Sequence, residues 1–212
     1  MGLINGGDDA SGFVFGRATD AWLCAFGKRR LRFSSLCSIA DFAPPSVVID
    51  SPAGQFDKWI KVLPCGANRA TVLVKFDASY RTDKYVPNAK IQLNPLDVGQ
   101  QADSSHQEVD ANITHQDAPF KPWIDIRRVV GTRSEEQGFA FARLDVPLQV
   151  DLAWTSGGLV SVNFGGHYEL QMGLDKPITR IALFATSAKF EFVDLKVGHA
   201  GEPDPACQSQ SK

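Results

Sequence analysis

Leu148-Gln-Val-Asp-Leu-Ala-Trp154 and Val160-Ser-Val-Asn-Phe164, then Ile178-Thr-Arg-Ile-Ala-Leu-Phe184 and Lys189-Phe-Glu-Phe-Val-Asp-Leu-Lys-Val197, follow one another in the last third of the chain. In the first, Leu148, Val150, Leu152 and Trp154 alternate with Gln149, Asp151 and Ala153. In the second, Val160, Val162 and Phe164 alternate with Ser161 and Asn163. Successive side chains of a strand point to opposite faces, so apolar residues at every second position predict strands with one buried and one wet face. Gly138-Phe-Ala-Phe-Ala-Arg-Leu144 precedes the run and puts Phe139 and Phe141 on one face. Five short strands separated by turn residues predict an antiparallel, all-β architecture. Trp154 is expected in the core.

The pattern extends toward the N-terminus. Residues 46–50, 57–63, 70–77, 90–93 and 123–130 read as further strands, and no segment has the period of a long helix. Residues 94–119 are polar and largely non-periodic, so they are expected to form a long connection, which in a compact domain tends to carry function. Residues 1–45 carry strand-like pieces at 12–16 and 30–34, 46–198 form the β-sandwich domain, and 199–212 read as a tail. Phe190 and Phe192 share a parity that Val193, Leu195 and Val197 do not. One inserted residue produces that change, which predicts a β-bulge near Phe192-Val193.

Composition narrows the function classes. The 212 residues are 43% hydrophobic, with 14 Phe and 4 Trp, enough to fill a substantial core. The net charge of −2 gives no basic excess for a nucleic acid. The one basic run, Lys28-Arg-Arg-Leu-Arg32, reads as a solvated edge or loop. No apolar stretch is long enough for a membrane-spanning helix. The first residues lack the basic and apolar regions of a signal peptide, which leaves the compartment open. Cys24, Cys37, Cys65 and Cys207 lack the close spacing of a zinc site, and neither their redox state nor their pairing follows from the sequence. Asn112-Ile-Thr114 is a glycosylation sequon. Oligomeric state is not encoded in any motif.

Many short antiparallel strands fit two sheets packed face to face. From Pro122 onward the chain resembles the concanavalin A-like lectin/glucanase superfamily. The residues that carry the likeness are Val150-Asp-Leu-Ala-Trp154, the Gly157-Gly158 turn, Val160-Ser-Val-Asn-Phe-Gly-Gly166, and the two closing strands with Asp194. The resemblance implies a jelly-roll sandwich of which one sheet faces a glycan, and an extracellular setting. It also implies a role as lectin, glycan-binding module, glycoside hydrolase or polysaccharide lyase.

Two constellations bear on chemistry. Glu108-Val-Asp110 matches the start of the Glu-x-Asp-x-x-Glu strand of the glucanase branch, in which alternation places the carboxylates on one face. Retaining hydrolysis needs two carboxyl groups about 5–5.5 Å apart, and Ile113 stands where the second Glu belongs. The pair is therefore expected to be solvated loop carboxylates. Trp123-Ile-Asp-Ile-Arg127 is the stronger candidate. With Ile124 and Ile126 inward, Trp123, Asp125 and Arg127 share the outer face. A sugar's C–H face stacks on an aromatic ring, and its hydroxyls pair with a carboxylate and a guanidinium. The bland alternative is an Asp125–Arg127 surface pair with Trp123 packed beneath the adjacent loop. No cofactor is expected. Calcium is the one metal for which oxygen ligands are at hand, from the acidic 94–119 segment and Asp194, and His106 and His115 lack a third partner for zinc. The Gly-rich nucleotide and Gly-x-Ser-x-Gly hydrolase motifs do not occur.

The expected function is a non-catalytic glycan- or polysaccharide-binding β-sandwich, with Trp123, Asp125 and Arg127 as ligand-binding residues and no catalytic residues. The alternatives are a polysaccharide-active hydrolase or lyase, and a structural or assembly protein.

Overall fold

The described residues form ten antiparallel strands, of which those at 148–154, 159–164 and 168–173 alternate buried with more open side chains along their length. The ten are Ser46–Val62 (β1), Arg69–Ser79 (β2), Asn88–Leu93 (β3), Gln107–Thr114 (β4), Trp123–Val130 (β5), Arg133–Gly138 (β6), Leu148–Trp154 (β7), Leu159–Phe164 (β8), Tyr168–Gly173 (β9) and Arg180–Gly198 (β10). The computed structural model describes residues 44–97, 100–115, 123–138 and 147–199, and these contain no helix. They fall in one unit spanning Cys37–Lys212. The strand-like pieces expected within 1–43, the basic run, the Phe139–Phe141 strand and the tail from residue 200 lie outside the described residues. Cys65 is disulfide-bonded.

The strands form a sandwich whose two sheets share the long strands β1 and β10. The first half of β10 pairs with β3, extending to β4, β5 and β6, while its second half pairs with β2, extending to β7, β8 and β9. β1 runs along β10 through both sheets, with a register shift between Ser51 and Phe56. What the sequence presents as separate strands at 46–50 and 57–63, and again at 178–184 and 189–197, is therefore two long bent strands. The turn-like residues between them mark the corner rather than an end. At the corner Ser187 takes φ 51°, a left-handed conformation uncommon for a residue other than glycine. Its Oγ accepts the Gly54 N–H at 3.0 Å and its carbonyl accepts the Tyr80 N–H at 2.8 Å. The buried Ser51 Oγ donates to the Ala185 carbonyl at 3.1 Å. Gly54 turns there with φ 73°, and a Cβ on it would come within 2.8 Å of the Tyr85 ring.

The inner faces interlock. Ala89, Ile91, Leu93, Val109, Ala111, Ile113, Ile124 and Ile126 come from the first sheet, and Val72, Val74, Val150, Val160, Val162, Phe164, Phe190 and Phe192 from the second. Trp154 is 6% exposed, and its Nε1 donates to the Ala67 carbonyl at 2.8 Å, which satisfies the ring's one polar atom in the core. The bulge lies where the parity change placed it, one residue later: the register with β2 slips between Val193 and Lys196, and Asp194 takes φ 54°. Leu195 and Val197 thereby turn inward.

Besides β4, two strands escaped the periodicity. β6, Arg-Ser-Glu-Glu-Gln-Gly, has no apolar residue, and β9, Tyr-Glu-Leu-Gln-Met-Gly, has two inward ones. Among the described residues both end a sheet in the strand order, where charge protects an edge and little hydrophobic signal is needed. The 94–119 segment is not one long connection, because β4 lies within it and pairs on both sides.

Candidate functional site

The outer face of the first sheet carries the polar residues that alternate with its core. On β4 these are Glu108, Asp110, Asn112 and Thr114; on β3, Asn88, Lys90 and Gln92; on β5, Trp123, Asp125 and Arg127. The ladder sets them in rows. Trp123 lies opposite Thr114, which lies opposite Asn88; Asp125 opposes Asn112, and Arg127 opposes Asp110. Trp123, Asp125 and Arg127 thus lie on one face, with Ile124 and Ile126 fully buried beneath. A groove of about 420 Å³ crosses this face between Trp123 and Phe184, floored by Lys90, Asn112, Asp125 and Arg127.

Asp110 is the hub. Its side chain has no solvent exposure, and it accepts hydrogen bonds from Arg127 Nη2 at 2.5 Å, Gln92 Nε2 at 2.9 Å and Lys90 Nζ at 3.4 Å. A buried carboxylate is tolerated when cations and donors surround it. Desolvation works against the Arg127 charge, yet Asp110 outweighs it and holds the guanidinium above its ordinary value. The expectation that Glu108 and Asp110 are solvated loop carboxylates is therefore corrected. Both lie on a central strand, and Glu108 is only partly accessible, its carboxylate 3.2 Å from His106 Nε2. Burial and then the Asp110 charge push the Glu108 carboxyl above its usual range, while the His106 contact opposes the shift. The signal was present: Val109, Ala111 and Ile113 alternate with Glu108, Asp110 and Asn112, but the run is short and set in polar, non-periodic sequence.

Asp125 is 5% exposed, unlike the open carboxylate that a surface trio suggests. Asn112 Nδ2 donates to it at 2.5 Å, and burial, the larger effect, raises its pKa. Its neighbour on the edge strand is Gly138, at which a Cβ would sit 2.3 Å from the Asp125 Cβ. Glycine at 138 therefore lets β6 close over the Asp125 position, a requirement invisible in the sequence. Asn112, also 5% exposed, belongs to this packing, so the sequon asparagine is inaccessible in the folded chain. Trp123 remains 37% exposed at the rim, and the Arg127 side chain 32%.

Other sequence candidates are dispersed. His115 stacks on Phe76 at 4.0 Å, at the opposite end of β4 from His106. His167 is exposed in the turn before β9. Asp194 sits in the β10 bulge. Among the described residues no group of three or more His, Cys, Asp or Glu side chains comes together that could hold a metal ion. No helix among them is long and apolar enough to cross a membrane.

No protein-family model matches the chain, and no curated protein matches it in sequence. Among solved structures it is similar to a legume lectin-like domain from Entamoeba histolytica, with 9% identity and a TM-score of 0.50, covering 79% of this chain and 100% of that one. A galectin from Caenorhabditis elegans matches with 10% identity and a TM-score of 0.47, over 72% of this chain and 96% of the galectin. An alginate lyase from Zobellia galactanivorans matches with 11% identity and a TM-score of 0.41, over 68% and 65% respectively. At such identities the likeness is one of fold: the chain is an antiparallel jelly-roll β-sandwich, similar in fold to the legume lectin-like domain.

Proposed function

We propose that this protein is a non-catalytic glycan-binding β-sandwich whose site is the outer face of the first sheet, with Trp123, Asp125 and Arg127 as ligand-binding residues. One observation carries the proposal: a partly exposed Trp ring stands at the rim of a groove whose floor is a fixed hydrogen-bonding network. The ring offers a face for the C–H side of a pyranose. Arg127, held by Asp110, offers the guanidinium edge that still reaches solvent, while Asp125 acts from beneath by fixing Asn112. Such pre-ordering lowers the entropy lost on binding. Asp110 is saturated by three donors and shielded from water, which argues against its use as a nucleophile or acid.

The test is titration of wild type, Trp123→Ala and Arg127→Ala against glycans retained on an immobilised array. Loss of the ring is expected to weaken all ligands together, and loss of the guanidinium to weaken some more than others, with both variants folded. Retained affinity in a folded Trp123→Ala protein refutes the assignment. A second reading, a polysaccharide-active enzyme, draws on the Glu108–His106 pair and the raised Glu108 carboxyl. Release of reducing ends, or of unsaturated ends, that is abolished by Glu108→Gln would establish it in place of the first.

A further inference from the structure

The row that contains Trp123 continues past the groove. Thr114 opposes Trp123, Asn88 opposes Thr114, Thr186 opposes Asn88, and Phe56 opposes Thr186. Paired residues of a ladder point to the same face, so one row crosses five strands with an aromatic ring at each end. Four strand spacings separate the ends, about 19 Å. Phe56 is 60% exposed, the more open of the two rings. It stacks on Phe184 with centroids 5.5 Å apart and planes at 22°. Lys90 Nζ stands 5.2 Å from the centre of the Phe184 ring, which links the pair to the charged floor.

An exposed apolar ring held against a second ring is a poor arrangement for solvent alone. The surface between the ends identifies the occupant. It is amide and hydroxyl: Asn88 Nδ2 donates to Thr114 Oγ1 at 2.8 Å, and the Thr186 hydroxyl donates to the Gln55 carbonyl at 2.7 Å. An apolar helix or strand of a partner would desolvate that floor, and the Lys90–Asp110–Arg127 charges beside it, at a cost it could not repay. A ligand with apolar ring faces and many hydroxyls matches both ends and the middle.

We infer that Phe56 and Phe184 form a second aromatic platform, and that the ligand is an extended oligosaccharide lying across the strands from Trp123 to Phe56 rather than a single terminal sugar. The inference rests on the glycan-binding reading proposed above and adds to it the length and direction of the ligand.

The experiment uses the full chain on an immobilised panel of defined, unbranched glycans from monosaccharides to long oligosaccharides, with titration calorimetry on those retained. Wild type is expected to bind long members more tightly than short ones. Phe56→Ala is expected to lower affinity for long members roughly tenfold, which is about 1.4 kcal/mol, while leaving short members bound at Trp123 unchanged. Phe56→Tyr keeps the ring and is expected to restore the affinity, which separates platform loss from any change in fold. Equal wild-type affinity for short and long members, or full affinity in Phe56→Ala, overturns the second platform and leaves glycan binding intact. A Phe56→Ala protein whose oligomeric state changes by light scattering at unaltered affinity assigns the ring to a protein interface and likewise overturns it. Retention of no glycan by wild type removes both readings.

Discussion

Replacing Asp110 by alanine tests whether the floor of the groove is a single electrostatic unit. The carboxylate has no exposure and receives two cationic donors and one neutral donor. Removing one partner of a buried ion pair costs about 3–5 kcal/mol, because the remaining charge stays desolvated. Here the stranded cations are not sealed: the Arg127 side chain is 32% exposed and the Lys90 side chain 18%. Water can reach both after the change, which places the expected loss near the lower bound, about 3 kcal/mol. The assay is equilibrium unfolding in urea at neutral pH. With a slope of about 2 kcal/mol per molar, the midpoint falls by roughly 1.5 M at unchanged slope. Combining Asp110→Ala with Arg127→Met removes the stranded guanidinium and keeps its apolar stem, so the double variant is expected to lose less than the sum of the singles by about 1–3 kcal/mol. A loss within about 0.5 kcal/mol, the usual range for open surface positions, or strict additivity in the double variant, would refute the reasoning. Either result would mean that the network is hydrated and independent.

Two further outcomes are expected. Trp154→Ala empties a core site and abandons the hydrogen bond to the Ala67 carbonyl, so it is expected to destabilise by about 3–5 kcal/mol; an unchanged unfolding midpoint would show that the β7 faces are reversed. Glu108 binds its proton more readily folded than unfolded, since its carboxyl is raised chiefly by burial. Between its unfolded pKa, about 4.3, and its higher folded one, the native state holds more protons, so stability falls as pH rises. Wild type minus Glu108→Gln is therefore expected to show a stability difference that grows in favour of wild type as pH falls from neutrality toward that value. A difference that is flat with pH removes the burial argument.

The sandwich was legible because its inner faces obey a strict alternation: Leu148 through Trp154 and Val160 through Phe164 need only the pleat to be read. β6 was not, because an edge strand with Glu135 and Glu136 exposed has nothing to bury and so no period to show. The ends of β1 and β10 were misjudged for a different reason. A strand that bends from one sheet into another uses turn-like residues, such as Gly54 and Ser187, without terminating. At the site, the shared face of Trp123, Asp125 and Arg127 followed from parity on β5 alone. The depth of Asp125 did not, since it depends on Asn112 across one ladder and Gly138 across the other. Phe56 was hidden for the same reason. Its row neighbours come from four other strands, and only the register brings them into line.

The place of β10 between β1 and the remaining strands of both sheets also governs the order in which the chain can assemble. β3 through β6 connect to β2 and β7 through β9 by way of β10, which follows all of them in sequence. During synthesis β3 through β6 and β2 with β7 through β9 can pair only as two separate groups, each with an unsatisfied edge, until residues 180–198 leave the ribosome. Closing pairs as distant as Ser46 with Val193 requires a large loop to be ordered before its contacts repay it, which makes folding slow and leaves strand edges open meanwhile. The strand that positions the outer face of the first sheet is thus also the keystone whose late arrival sets how long the nascent chain remains exposed to aggregation.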